Sequence, residues 1–149
     1  MADPVPIGAS QIEVEMPLPR ARRLAEQKHE QIFIVDDDEA VADSLKSLLE
    51  GFGFHVRSYN SGADFLGDRR HRTAGCLILD QHMPGLSGLD VAACLQREGA
   101  RAPIILISGR FDTNIKQRAA SLGVTTVLEK PFAADQLVKL IRTALTERN

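Results

Sequence analysis

The amino-acid sequence predicts an α/β fold, a doubly wound parallel sheet built from five βα units. Three observations lead there. Short apolar runs recur without polar alternation, at Ile32–Val35, Cys76–Leu79 and Ile104–Ile107. Such runs suit strands covered on both faces, as in a parallel sheet. Between them lie stretches with apolar residues three or four apart, long enough to be crossover helices. Small capping residues and glycines punctuate those stretches, which separates one unit from the next.

Strand 1 is the run ending at Val35. Helix 1 follows, with Val41, Leu45, Leu48, Leu49 and Phe52 on one face and Gly51 and Gly53 as its stop. Strand 2 is the less regular segment His55–Tyr59. Ser61 caps a short helix 2 that holds Phe65 and Leu66. Strand 3 is the run Cys76–Leu79, and Leu89, Val91, Ala92 and Leu95 define helix 3, ended near Gly99. Strand 4 is Ile104–Ile107, and Ile115, Ala119 and Leu122 mark helix 4, with Gly123 beyond it. Strand 5 is Thr125–Leu128. Leu137, Leu140, Ile141, Ala144 and Leu145 form helix 5. Crossovers of this kind are right-handed, and five strands favour the flavodoxin-like order 2-1-3-4-5.

The 149 residues suit one domain, and 44% apolar with 26% charged residues suits a packed core. The net charge of −2 and the scarcity of aromatic residues argue against nucleic-acid binding by this chain. Two cysteines, Cys76 and Cys94, make neither a disulfide framework nor a zinc site and read as small core residues. No apolar run has the length of a membrane span, and no secretory signal opens the chain. The expected location is the cytoplasm. Residues 1–30 hold four of the seven prolines and five acidic against four basic side chains. They read as a flexible or weakly ordered leader, with a short edge strand at Ile12–Met16 and helical composition from Arg20 to Glu30. Residues 31–149 are the folded domain.

Open α/β sheets bind ligands at the carboxyl ends of strands, beside the point where strand order reverses. There stand Asp36 and Asp37 after strand 1, Asp80 after strand 3, Ser108 and Gly109 after strand 4, and Lys130 and Pro131 after strand 5. Gathered in one pocket, three carboxylates repel. A pair at ~4 Å costs about 1 kcal/mol in water and about 4 kcal/mol at an effective dielectric of ~20. One lysine does not neutralise three acids, whereas a hard divalent cation does. Mg²⁺ takes oxygen ligands, typically one or two carboxylates with phosphate oxygens and water. The triad therefore reads as a Mg²⁺ site with room for a phosphoryl group between the ion, Ser108 and Lys130. Asp80, central in the sheet, is the carboxylate best placed to act as nucleophile. The charges around it are what phosphoryl transfer chiefly requires.

Four motifs carry a resemblance: Val35-Asp36-Asp37-Asp38, Leu79-Asp80-Gln81-His82-Met83-Pro84-Gly85, Ile107-Ser108-Gly109 and Glu129-Lys130-Pro131-Phe132. In this order they resemble the signature of the response regulator receiver domains (CheY-like domains) of bacterial two-component systems. Asp80 follows Asp37 by 43 residues, Ser108 follows Asp80 by 28 and Lys130 follows Ser108 by 22, in keeping with that family. The resemblance runs from Gln31 to about Arg148. It implies that Asp80 is the phosphoacceptor and that Asp37, Asp80 and the backbone carbonyl of His82 bind the metal, with Asp36 acting through water. It implies that Ser108 turns toward the phosphoryl group, that Lys130 pairs with it, and that the Lys130–Pro131 peptide is cis. Met83 to Gly88 is then the loop into helix 3. Where the family has a switch aromatic, three residues before the lysine, this chain has Val127. His82 and Arg110 flank the pocket at positions that modulate turnover. Neither is a carboxylate able to orient an attacking water, so a long-lived phosphoaspartate is expected.

The resemblance implies a signalling switch that assists its own phosphorylation and is not a metabolic enzyme. Its partners are a sensor histidine kinase or a histidine phosphotransfer protein, and an output protein. A homodimer through the helix 4–strand 5 side is a further expectation. The chain ends soon after helix 5, which suits a stand-alone receiver, one cut from a longer regulator, or a phosphorelay intermediate. Two rivals remain: a constitutive receiver-like interaction module and an aspartate-nucleophile phosphatase. The second wants a carboxylate at the position of His82. Asp38 and Glu39 read as the start of helix 1, where negative charge complements the helix dipole. His29, His55 and His71 read as surface residues, and Arg69–Arg72 as a solvated basic loop.

Overall fold

The computed structural model describes residues 31–110 and 112–147. The expectations for residues 1–30, a leader with a short edge strand and a helical stretch, lie outside these residues. The strands are β1 Gln31–Val35, β2 His55–Tyr59, β3 Cys76–Asp80, β4 Ile104–Ser108 and β5 Thr126–Glu129. The helices are α1 Glu39–Gly51, α2 Gly62–Gly67, α3 Gly88–Arg97, α4 Thr113–Ser121 and α5 Ala134–Glu147. A 3₁₀ turn, Arg69–Thr73, joins α2 to β3. All neighbouring strands are parallel, in the expected order β2-β1-β3-β4-β5.

Local chemistry explains the helix ends. Asp38 caps α1, its carboxylate accepting from the N–H groups of Ala40 and Val41 at 3.1 and 3.2 Å. Gly53, at φ +95°, makes the left-handed turn that returns the chain to β2. Ser61 caps α2 through the Asp64 N–H at 3.0 Å. Ser87 and Asp90 form a reciprocal capping box at the start of α3.

The strand runs lack polar alternation because both faces are covered. Ile32, Ile34, Cys76, Ile78, Ile105 and Ile107 pack under α1 and α5 with Leu49, Leu137 and Ile141. Phe33, Val35, Leu77, Leu79 and Leu106 pack under α2, α3 and α4 with Phe65, Leu89 and Ala119.

Three readings need correction. Strand β5 starts one residue later than its apolar pattern suggested and includes Glu129. The basic segment is a 3₁₀ turn rather than a loop, capped by Asp68, whose carboxylate accepts from the Arg70 N–H at 2.9 Å. His71 is buried, at 6% exposure. Its Nδ1 is 2.6 Å from the Asp68 carbonyl oxygen, its Nε2 is 2.9 Å from Glu98 Oε1, and its ring lies 5.2 Å from that of Phe65. The turn folds the imidazole inward, and Glu98, distant in sequence, supplies the partner that makes burial tolerable. His55 is exposed, as expected; Cys76 is buried and Cys94 half-buried, and neither is in a disulfide.

Candidate functional site

Register brings the acids together. Val35 lies opposite Leu79, so the residues that follow, Asp36 and Asp80, stand level across adjacent strands. Asp80 pairs with Ile107 and Ser108 with Glu129, which carries the same level on to Ser108 and Lys130. The Asp38 N–H donates to Asp36 Oδ1 at 2.9 Å and holds that carboxylate turned in. Asp36 and Asp80 are buried, whereas Asp37 is exposed at the rim. One carboxylate oxygen from each of the three lies within 4.8 Å of the others. Lys130 Nζ donates to Asp80 Oδ1 at 3.3 Å. The Lys130–Pro131 peptide is cis, as the resemblance implied.

Burial pushes the carboxyl of Asp80 above the ordinary carboxylate range, against the pull of Lys130, and Asp37 adds to the rise. Burial likewise raises Asp36, opposed by the Asp38 N–H and reinforced by Asp80. Desolvation and like charge thus act together, and one ammonium does not offset them. Three converging oxygen donors, two of them reluctant to ionise alone, fit a hard divalent cation.

The sequence-based expectation that all these side chains aim at one pocket needs a qualification at Ser108. The residue is buried, but its hydroxyl bonds to the Arg110 backbone and the His82 ring. Among the described residues, Asp80 is not one of its hydrogen-bond partners. His82, Gly109 and Arg110 are exposed around the pocket mouth. Val127 lies half-buried in β5 opposite Leu106, packed on the α4 side of the sheet. Aliphatic packing thus occupies the place of a mobile ring.

Two positioning residues escaped the sequence reading. Gln81 is buried, and its side-chain Oε1 accepts from the Leu89 N–H at 2.9 Å, while its carbonyl accepts from the Gly88 N–H at 3.2 Å. This double tie pulls the start of α3 onto the end of β3. Gly88 permits it: a Cβ there would lie 2.8 Å from the Asp80 carbonyl oxygen and 2.6 Å from Leu106 Cδ1. Gly88, read as the end of a loop, is the first residue of α3. The only sequence signals were a polar residue beside a strand-end acid and a glycine beside a capping serine.

Comparison with known proteins agrees with this geometry. Residues 32–142 match the family model described as the response regulator receiver domain. The response regulator protein TmoT of Ectopseudomonas mendocina is 44% identical over 114 residues, 76% of this chain and 52% of that protein. The transcriptional regulatory protein FixJ of Bradyrhizobium diazoefficiens is 34% identical over 116 residues, 78% of this chain and 57% of that protein. The chain thus spans about half the length of the curated relatives it matches. Among solved structures, the response regulator StyR is similar with a TM-score of 0.73 at 35% identity, over 79% of this chain and 60% of that one. The chemotaxis protein CheY4 of Vibrio cholerae shares the fold with a TM-score of 0.68 at 22% identity, over 77% of this chain and 98% of that one. Among the described residues, no helix is long and apolar enough to cross a membrane.

Proposed function

The chain belongs to the response regulator receiver family, whose domains are signalling switches, and on that footing we propose that Asp80 is a phosphoacceptor. The donor is a phosphohistidine on a sensor histidine kinase or a histidine phosphotransfer protein. An Asp80 carboxylate oxygen attacks phosphorus in line, the P–O bond forms, the P–N bond breaks, and its electron pair returns to the donor imidazole. One observation carries this reading: a buried carboxylate 3.3 Å from an ammonium, with two more acids within 4.8 Å. Asp37, Asp80 and the His82 backbone carbonyl would hold Mg²⁺, with Asp36 engaged through water. Such an ion would supply the positive charge that offsets the acid cluster and the oxygens of the transferring group.

Lys130 pairs with a phosphoryl oxygen, and Ser108 with Gly109 closes over another. The phospho-group adds about −1.5 to −2 charges at neutral pH. This shifts a two-state balance across α4, β5 and α5 and so changes which protein that face binds. With Val127 in β5, the readout proceeds without a swinging ring. His82 and Arg110 offer no carboxylate to orient water, so the phosphoaspartate is long-lived. In the cell the domain, residues 31–149 behind a leader of residues 1–30, works in the cytoplasm and pairs with a second copy through its α4–β5 side.

Intact-mass measurement after incubation with acetyl phosphate tests the reading. We expect one phosphoryl group on the wild type with Mg²⁺, and none without Mg²⁺ or on Asp80→Asn. Equal labelling of Asp80→Asn, or an unlabelled wild type, contradicts it. Steady release of phosphate from small esters would favour a phosphatase instead.

A further inference from the structure

Ser108 is only 1% exposed, so its hydroxyl is bonded by the protein. A serine hydroxyl has one proton to give and two lone pairs to receive. Three partners surround Oγ: the Arg110 carbonyl oxygen at 2.7 Å, the Arg110 backbone nitrogen at 3.1 Å and His82 Nε2 at 3.3 Å. The carbonyl oxygen has no proton, so the hydroxyl proton points to it. If Ser108 gave its proton to His82 instead, two oxygens would face each other at 2.7 Å with no hydrogen between them. The lone pairs therefore receive the Arg110 N–H and a hydrogen on His82 Nε2. All three bonding positions of the hydroxyl are taken, and none remains for a phosphoryl oxygen.

We propose that His82 is a positioning residue that latches the Ser108 hydroxyl into the Ser108–Gly109–Arg110 turn and sets how readily it is released to an incoming phosphoryl group. The inference rests on the phosphoacceptor reading of Asp80. Two of the three bonds come from the backbone of Arg110 and persist whatever side chain stands there. The His82 bond alone depends on side-chain identity, so it is the one that substitution tunes. It also ties the loop after β3, two residues beyond Asp80, to the loop after β4, across 26 residues of sequence. A change at Asp80 that moves the first loop thereby loosens the second.

The test compares His82→Ala, His82→Gln, Ser108→Ala and the double variant His82→Ala/Ser108→Ala with the wild type. Two readouts are used: beryllofluoride affinity with Mg²⁺, and hydrogen exchange of the Arg110 amide in metal-free protein. We expect His82→Ala to bind beryllofluoride about two- to fivefold more tightly, the release of one modest hydrogen bond. Its Arg110 amide exchanges faster. His82→Gln, which keeps an amide donor, returns both readouts toward wild type. On the Ser108→Ala background, His82→Ala changes the affinity no further. Unchanged affinity and exchange in His82→Ala, or an equal affinity gain without Ser108, overturns the latch while leaving the phosphoacceptor reading in place. A wild type that binds no beryllofluoride and takes no phosphoryl group overturns both.

Discussion

Two corners of this molecule gather charged and polar groups around buried ones and do so in opposite ways. At the carboxyl ends of β1 and β3, three acids converge on one lysine. At the junction of α2, the 3₁₀ turn and the end of α3, donors and acceptors alternate. Tyr59 Oη donates to Asp68 Oδ2 at 2.7 Å, Arg70 Nε donates to Asp68 Oδ1 at 3.1 Å, and His71 bridges the Asp68 carbonyl and Glu98. The same residue type responds with opposite shifts. Burial holds Asp36 and Asp80 above the ordinary carboxylate range. The guanidinium of Arg70, then the hydroxyl of Tyr59, hold Asp68 well below it. One corner stabilises the fold as it stands. The other gathers like charges that one lysine does not offset, an arrangement that costs stability and that a bound cation would relieve.

Substitutions break or sharpen this contrast. The largest effect is expected at Gly88, where the start of α3 presses on the Asp80 carbonyl. Gly88→Ala forces backbone apart and should lower stability by about 3 kcal/mol in denaturant titration. In the satisfied corner, His71→Ala leaves a hole beside Phe65 and strips Glu98 of its partner. A loss of about 2 kcal/mol is expected by the same titration. Asp36→Asn should act the other way. A carboxyl raised on folding contributes stability at low pH and loses it as pH rises through the raised value. At neutral pH without divalent ions, removing that charge is expected to raise the melting temperature by a few degrees. The smallest effect is at Tyr59, whose phenol is pushed up to about 12 by burial and then by Asp68. Its contribution is whole below pH ~10 and fades as pH climbs toward about 12. Alkaline melting curves should therefore fall more steeply for wild type than for Tyr59→Phe over that window.

The strands were legible because burial on both faces leaves an unbroken apolar run, as in Ile104–Ile107. The acid site was legible because a parallel sheet delivers every strand end to one edge, and Asp36, Asp80, Ser108 and Lys130 sit at those ends. What stayed hidden depends on partners distant along the chain. His71 reads as a surface histidine until the fold supplies Glu98. Gly88 reads as a loop glycine until α3 lands on β3. The Ser108 hydroxyl meets the ring of His82, a histidine from another loop, which no local pattern announces.

The proposal that Asp36, Asp37 and Asp80 serve one divalent ion is tested most directly by thermal unfolding during a Mg²⁺ titration at neutral pH. For the wild type we expect a saturable rise, equivalent to about 2.7 kcal/mol of stabilisation at a hundred times the dissociation constant. The rise should be largely lost in Asp37→Asn and Asp80→Asn. An equal rise in all three proteins, or no rise in the wild type, would contradict it.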